Sequence, residues 1–431
     1  MSADSTPADG PGAGRAGQPP SSPRPGPEGP LSHGPVLLLT GAKLADGRVV
    51  DVRISGDRIQ AVGTSGSLGP LPALPGAPTA TTGARIDLGG YVLLPAPAEA
   101  HAHHDAAFSA APTAPPPEGS AALVRRVTEA ALTSLGYGAT AQRTHVRIGD
   151  VHGLRRLEAV LAARQALRGL AELQTVAMPR LLTGLAGADG RAQLREALRL
   201  GATAAGGCPD LDPDPVGYVQ VLLEAAREAD CPVDLHTAAA DTAQLARITG
   251  LLAPLRPRVA LGPCSALTPG ASTVLAAGGI RLVCLPQNGC CSGLEGPPTG
   301  LRPSLVRELT DARIPLTAGS GALRDLSNPV GRADPLESAY LLAAGGTLDA
   351  QAAYEAVSNQ ARITLGLPPV RVDAGFPAEL LAVRGDSVAG ALAGGHSRLV
   401  VHCGRIVSRT SAVREFADTV ALALPRQCGP G

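Results

Sequence analysis

The fold of this chain turns on one stretch, Glu99-Ala-His-Ala-His-His-Asp105. It follows Tyr91-Val-Leu-Leu-Pro95, an apolar run that reads as a short buried strand ended by proline. Residues two apart on a strand face the same side, so His101 and His103 are expected to project together from its end. Two imidazoles side by side suit a divalent metal such as zinc. The same spacing also fits a polar strand end with solvated histidines, so the motif needs its surroundings.

Downstream, strand-like and helix-like runs alternate. The strands are expected at 139–145, 173–178, 203–206, 233–236, 258–261, 281–285 and 314–318, with helices such as 120–135, 153–168, 191–200, 218–230, 301–312 and 335–344 between them. With the strand before His101 this makes eight β units, which implies an α/β fold of the (β/α)8 TIM-barrel type. Active sites of such barrels lie at the C-terminal strand ends. Here those ends carry His101 and His103, His145, Arg180, Cys208 and Asp210, His236, Pro263 and Cys264, Gln287 and Asn288, and Ser320 and Gly321.

Short strands split by Asp-Gly and Gly-Asp turns occupy the region from Val36 to Leu88, and similar strands return at 379–383, 397–402 and 405–407. The two ends are expected to pair into one small β-sandwich. The expected division is a Pro/Gly-rich tail at 1–34, the first part of the sandwich at 35–95, the barrel at 96–370, and the rest of the sandwich with a tail at 371–431.

Composition narrows the function classes. Lys+Arg and Asp+Glu balance at 37 each, which argues against a nucleic-acid or anionic-membrane partner. Aromatics make up 2% of the chain and Trp is absent, so stacking platforms for bases or sugars are scarce and the core must be Ala, Leu and Val. The 8 cysteines are scattered without a C-x-x-C pair, which reads as reduced thiols in a cytoplasmic protein. No apolar run is long enough to span a bilayer.

Several stretches, taken in order, resemble the amidohydrolase superfamily, and most of all its cytosine-deaminase-like branch. They are His101-Ala-His-His-Asp105, Arg143-Thr-His-Val146, Leu173-Gln-Thr-Val-Ala177, Gly206-Gly-Cys-Pro209, Val233-Asp-Leu-His236 and Arg324-Asp325 through Asn328-Pro-Val-Gly331. The likeness covers roughly residues 36–410 and implies hydrolysis of C–N bonds other than peptide bonds. Members of that branch hold a divalent metal, zinc or iron, with the two His of His-x-His, a His ending strand five, a His ending strand six and an Asp ending strand eight. A Glu three residues past the strand-five His moves protons.

On this chain the resemblance assigns metal ligation to His101, His103 and His236. Pro263 stands at the strand-six His, Ala239 at the proton-carrying Glu and Gly321 at the strand-eight Asp. Arg180 takes the place of a substrate-binding Gln, and Ser327 that of a large aromatic. A catalytically impaired or inactive protein is therefore expected, with its metal weakly bound or absent. The alternative is an active C–N hydrolase working from the reduced His101/His103/His236 site. Asp241, five residues past His236, is a substitute base or a helix start. Cys264 is a thiolate ligand or a buried small hydrophobe. Cys290 and Cys291 read as loop residues, His145 as a structural or supporting group, and His104 and His152 as solvent-facing. Arg180, a permanent cation at the mouth, calls for either Asp210 or an anionic ligand, the internal pair being favoured. A small molecule in the mouth and a homo-oligomer complete the expectation.

Overall fold

The apolar run Tyr91–Pro95 and the histidine stretch after it lie in two different sheets. The computed structural model describes residues 36–413 apart from 72, 75–76, 82, 111–116, 150–152, 269, 288–302 and 347. In it, Tyr91–Pro95 pairs antiparallel with Leu380–Arg384, and a separate strand, Ala98–Ala102, starts the barrel. The expectation that Tyr91–Pro95 is itself the strand before the histidines is thus corrected. Pro95 and Pro97 carry no N–H, so a ladder cannot run through them and the chain changes sheets there. The expected tail at 1–34, along with His152, Asn288, Cys290 and Cys291, lies outside the described residues.

Both chain ends build the first sheet. Its strands run Arg405–Thr410, Arg398–His402, Leu380–Arg384, Tyr91–Pro95, Val36–Lys43, Val49–Ser55 and Arg58–Thr64 in spatial order, with Gly83–Asp87 parallel to Val36–Lys43. Alternation along these strands explains how the sheet docks. Leu93, Leu380, Ala382, Leu399 and Val401 pack into the sheet's own core with Leu39, Val52 and Ile54. Their neighbours Val92, Leu94, Leu381, Val383 and Val400 join the core of the barrel helices instead. A strand buried on both faces needs a continuous apolar run, which these segments have.

The second sheet is eight parallel strands in sequence order: Ala98–Ala102, Ala141–Ile148, Glu172–Pro179, Ala204–Gly207, Val233–Thr237, Val259–Pro263, Arg281–Cys284 and Leu316–Ala318. Helices intervene, and several start on caps legible in the sequence. Asp214, Asp241 and Asp334 each accept a backbone N–H of the first turn, and Pro215 and Pro335 occupy the position where a missing N–H costs nothing. Strand eight meets strand one through the bridge Ala102–Gly321, where Gly321 N donates to His101 O at 2.9 Å. Glu99 reinforces this seam by accepting from Ser320 N with both oxygens at 3.0 Å. A Cβ on Gly319 would stand 2.7 Å from Glu99 Oε1, so only glycine allows the approach.

Candidate active site at the barrel mouth

Three barrel strands repeat one pattern, a polar residue at every second position. Strand one places Glu99 and His101 inside and His103 just beyond; strand two places Arg143, His145 and Arg147; strand five places Asp234 and His236. The period of two stacks these side chains along the barrel axis. At its C-terminal end four imidazoles converge. Ring centroids of His101 lie 5.4 Å from His103, 4.2 Å from His145 and 4.3 Å from His236, while His103 and His236 are 5.2 Å apart. His101, His145 and His236 are entirely buried.

Hydrogen bonding sets the tautomers. His103 Nδ1 lies 3.1 Å from the carbonyl oxygen of His145, which can only accept, so Nδ1 carries the proton and Nε2 presents a lone pair. That Nε2 is 3.2 Å from His236 Nε2. His145 points its Nε2 at Asp234 Oδ1, 3.2 Å away, and Asp234 Oδ2 accepts from Arg143 Nη1 at 2.9 Å. Arg143 also donates twice to Gln174 Oε1. Burial, and then the neighbouring imidazoles, holds His101 and His236 far below the ordinary imidazole range, so both rings are neutral. His145 is lowered chiefly by burial too, although Asp234 pulls the other way. Burial alone would raise Asp234, but His145 and Arg143 outweigh it and keep the carboxyl ionised. Glu99, enclosed beneath His101, is pushed up to about 7 by burial against its hydrogen bonds from Ser320 and His101.

Neutral, clustered imidazoles are the donor set a divalent metal takes. Two ring nitrogens on one tetrahedral zinc, each at ~2.0–2.1 Å, stand about 3.3 Å apart. The 3.2 Å between His103 and His236 matches that spacing. Nδ1 of His236 is buried without a hydrogen-bond partner among the described residues. A nitrogen from each of His101, His145 and His236 also falls within 4.8 Å of the others. The residues therefore fit a metal. The three histidines assigned from the sequence do come together, and His145 joins them.

Sequence reasoning did not foresee His145 in the cluster, nor the Arg143–Asp234 pair behind it. The signal was present: Arg143-Thr-His145 and Asp234-Leu-His236 have the same spacing as His101-Ala-His103. Two further expectations are corrected. His104 is buried, not solvent-facing, because it points outward from the barrel toward helix Ser120–Gly136. There its Nε2 lies 2.8 Å from Gln142 Oε1, and Gln142 donates to Ala131 O. The favoured Arg180–Asp210 pair does not form. Asp210 is taken by Thr237 Oγ1, Ala238 N and Gln244, and Arg180 is exposed past the end of strand three.

The remaining positions are as follows. Asp241 caps helix Thr242–Leu252, accepting from Ala243 N and Gln244 N. Cys264 is wholly buried with its thiol raised by burial, and Ser327 donates to Asp325. Gln287 donates to Asp334 O. Ala239, buried at φ 54°, and Gly321, at φ 76°, offer no carboxylate. A cavity of about 240 Å³ opens in front of His103, walled by Asp105, Arg126, Arg147, Arg156 and Asp325. Arg156 pairs there with Asp105 and Glu118.

No family model matches the chain, and no curated protein matches it. Solved structures do. N-isopropylammelide isopropylaminohydrolase from Burkholderia multivorans is 26% identical, with a TM-score of 0.73 over 87% of this chain and 99% of its own. 5-Methylcytosine deaminase from Klebsiella pneumoniae is 20% identical, with a TM-score of 0.71 over 88% of this chain and 100% of its own. Phenylurea hydrolase B is 16% identical, with a TM-score of 0.61 over 92% of this chain and 100% of its own. The last two establish a shared fold. Taken with the barrel, the sheet from both chain ends and the histidines at the strand ends, these likenesses make the chain similar in structure to members of the amidohydrolase superfamily.

Proposed function

We propose that this chain is a cytosine-deaminase-like amidohydrolase of the C–N hydrolase kind that has lost its proton-transfer groups. On this reading it holds a zinc- or iron-class metal weakly with His101, His103 and His236, and binds a small polar molecule at the barrel mouth without turning it over. A bound metal would supply an activated water. The rest of such a reaction falls to side chains that must take the water's proton and hand it to the leaving nitrogen. One observation carries the proposal: the two carboxylates that the barrel strands place among the histidines are already engaged. Glu99 is bonded to Ser320 N and His101 N at the strand seam, and Asp234 accepts from Arg143 with Oδ2 while its Oδ1 lies 3.2 Å from His145. Ala239 and Gly321 leave the two remaining positions empty of acid or base. Losing a general acid/base forfeits ~10²–10⁴ in rate.

A second reading, an active hydrolase with the reduced site, draws on the four imidazoles that the fold brings within contact of one another, with His101, His145 and His236 buried. Ammonia release separates the two. Protein loaded with zinc, and separately with iron, is offered cytosine, aminopyrimidines and aminotriazines. The expected result is release no faster than metal ion alone. Release that disappears in His101→Ala or His236→Ala protein establishes the second reading.

The proposal includes a cytoplasmic setting and self-association of the chain. The setting draws support from the described cysteines, all of which are free thiols. Among the described residues no helix is long and apolar enough to cross a membrane.

A further inference from the structure

A second constellation of metal-binding side chains lies in the terminal sheet, away from the barrel mouth. The hairpin of Arg398–His402 and Arg405–Thr410 turns through Cys403 and Gly404, at φ 47° and 72°. A two-residue turn with both φ positive favours Asn, Asp or Gly, so the turn itself does not call for cysteine. Cys403 Sγ is 3.5 Å from Nε2 of the neighbouring His402. His402 Nδ1 in turn lies 2.9 Å from Glu379 Oε2. A carboxylate only accepts, so Nδ1 carries the proton and the lone pair is on Nε2. The other oxygen, Glu379 Oε1, accepts from Cys403 N at 2.8 Å. One carboxylate therefore fixes both the ring and the turn that bears the thiol. Donor atoms of all three residues fall within 4.8 Å of one another.

We propose that Glu379, His402 and Cys403 form a site for a soft divalent cation of the zinc class. His402 Nε2 and Cys403 Sγ are the ligands, and Glu379 is the carboxylate that orients the imidazole. With bonds of ~2.3 Å to sulfur and ~2.0–2.1 Å to nitrogen, the two ligands of a tetrahedral zinc stand about 3.5 Å apart. The observed Sγ–Nε2 separation, 3.5 Å, keeps the thiol within reach of that arrangement, although not yet on the Nε2 axis. Sγ is also 3.9 Å from Nδ1, so the thiol sits toward the ring face, and ligation requires the exposed Cys403 side chain to rotate toward the Nε2 axis. A carboxylate on the far ring nitrogen is the usual partner of a zinc-bound imidazole. Cys403 borders a groove of about 530 Å³, lined also by Leu37, Ala84 and Arg405, which opens the thiol to solvent. As the sulfur–metal bond forms, the thiol proton leaves to solvent and the imidazole binds neutral. Nothing in this site draws on the chemistry of the barrel.

Cobalt(II) titration of the reduced full-length chain tests it. A thiolate ligand gives cobalt a sulfur-to-metal absorption band in the near ultraviolet, which an all-imidazole site lacks, so the band reads this site apart from the barrel histidines. The wild type is expected to show the band, and so is Cys264→Ser. Cys403→Asn, whose side chain suits the left-handed turn, should melt no lower than wild type and lose the band. Glu379→Gln should keep the band with cobalt affinity 10–100-fold weaker. A wild type without the band at saturating cobalt, or a band that persists in Cys403→Asn, overturns the proposal.

Discussion

The Nε2 atoms of His103 and His236 face each other 3.2 Å apart across the mouth of the barrel. The proton of His103 sits on Nδ1, held by the carbonyl of His145. Either His236 donates to His103 across this gap, or both lone pairs point at a shared cation. The two residues are 133 positions apart in sequence, and the barrel alone brings them together.

With neutral imidazoles but no strand-eight carboxylate, metal affinity should be low. Protein purified without added metal is expected to carry well under one equivalent of zinc, and added zinc should raise its melting temperature through binding to the native state. In His236→Ala that thermal response should shrink. Metal analysis after dialysis against chelator checks this. A full equivalent that survives, and that is lost in His236→Ala but kept in Cys403→Asn, would place a further ligand at the barrel site, with His145 the first candidate.

Behind the histidines, Arg143 and Asp234 form a fully buried pair at 2.9 Å. Removing one partner strands a charge in the interior, which typically costs about 3–5 kcal/mol. Arg143→Leu is expected to lower stability in urea by that amount. The double variant Arg143→Leu/Asp234→Leu should recover much of the loss, since no unpaired charge remains. Equal destabilisation of single and double variants would contradict this account.

His104 gives a pH signature. Its folded pKa is pushed down to about 4 by burial, from an ordinary 6.5. The unfolded chain therefore binds this proton first as pH falls. The stabilising contribution is complete above pH 6.5 and is lost between there and about pH 4. At ~1.4 kcal/mol per unit, the loss is on the order of 3 kcal/mol. In His104→Gln the stability-against-pH curve should be flatter by about one proton's worth over that window. Denaturant titrations across pH measure it, and identical slopes would reject the assignment.

Gly321 closes the barrel at φ 76°. Putting an aspartate there places an L-residue in the left-handed region, at a cost of roughly 1–2 kcal/mol. Gly321→Asp should thus be less stable than wild type by about that much, as read from unfolding midpoints. Unchanged stability would show that this strand end relaxes freely.

Much of this protein follows from local sequence alone. Alternating apolar runs and helix caps at Asp214, Asp241 and Asp334 specify strands and helices, because propensity and capping act within a few residues. The count of eight β units then implies the barrel, and the period of two in His101-Ala-His103 already points both rings one way. Tertiary structure decided what depends on distant neighbours. Pro95 and Pro97 mark the switch between sheets, but only the pairing of Tyr91–Pro95 with Leu380–Arg384 shows which sheet the strand joins. His145 reads as a supporting residue until the barrel brings the ends of strands one, two and five together. His104 looks solvent-facing until Gln142 and the helix beyond cover it. Arg180 and Asp210 are suited as an ion pair by charge, yet Thr237 and Ala238 reach Asp210 first, because they are anchored on the adjacent strand end. Charge and spacing state which contacts are chemically allowed; the closed barrel determines which partner is within reach.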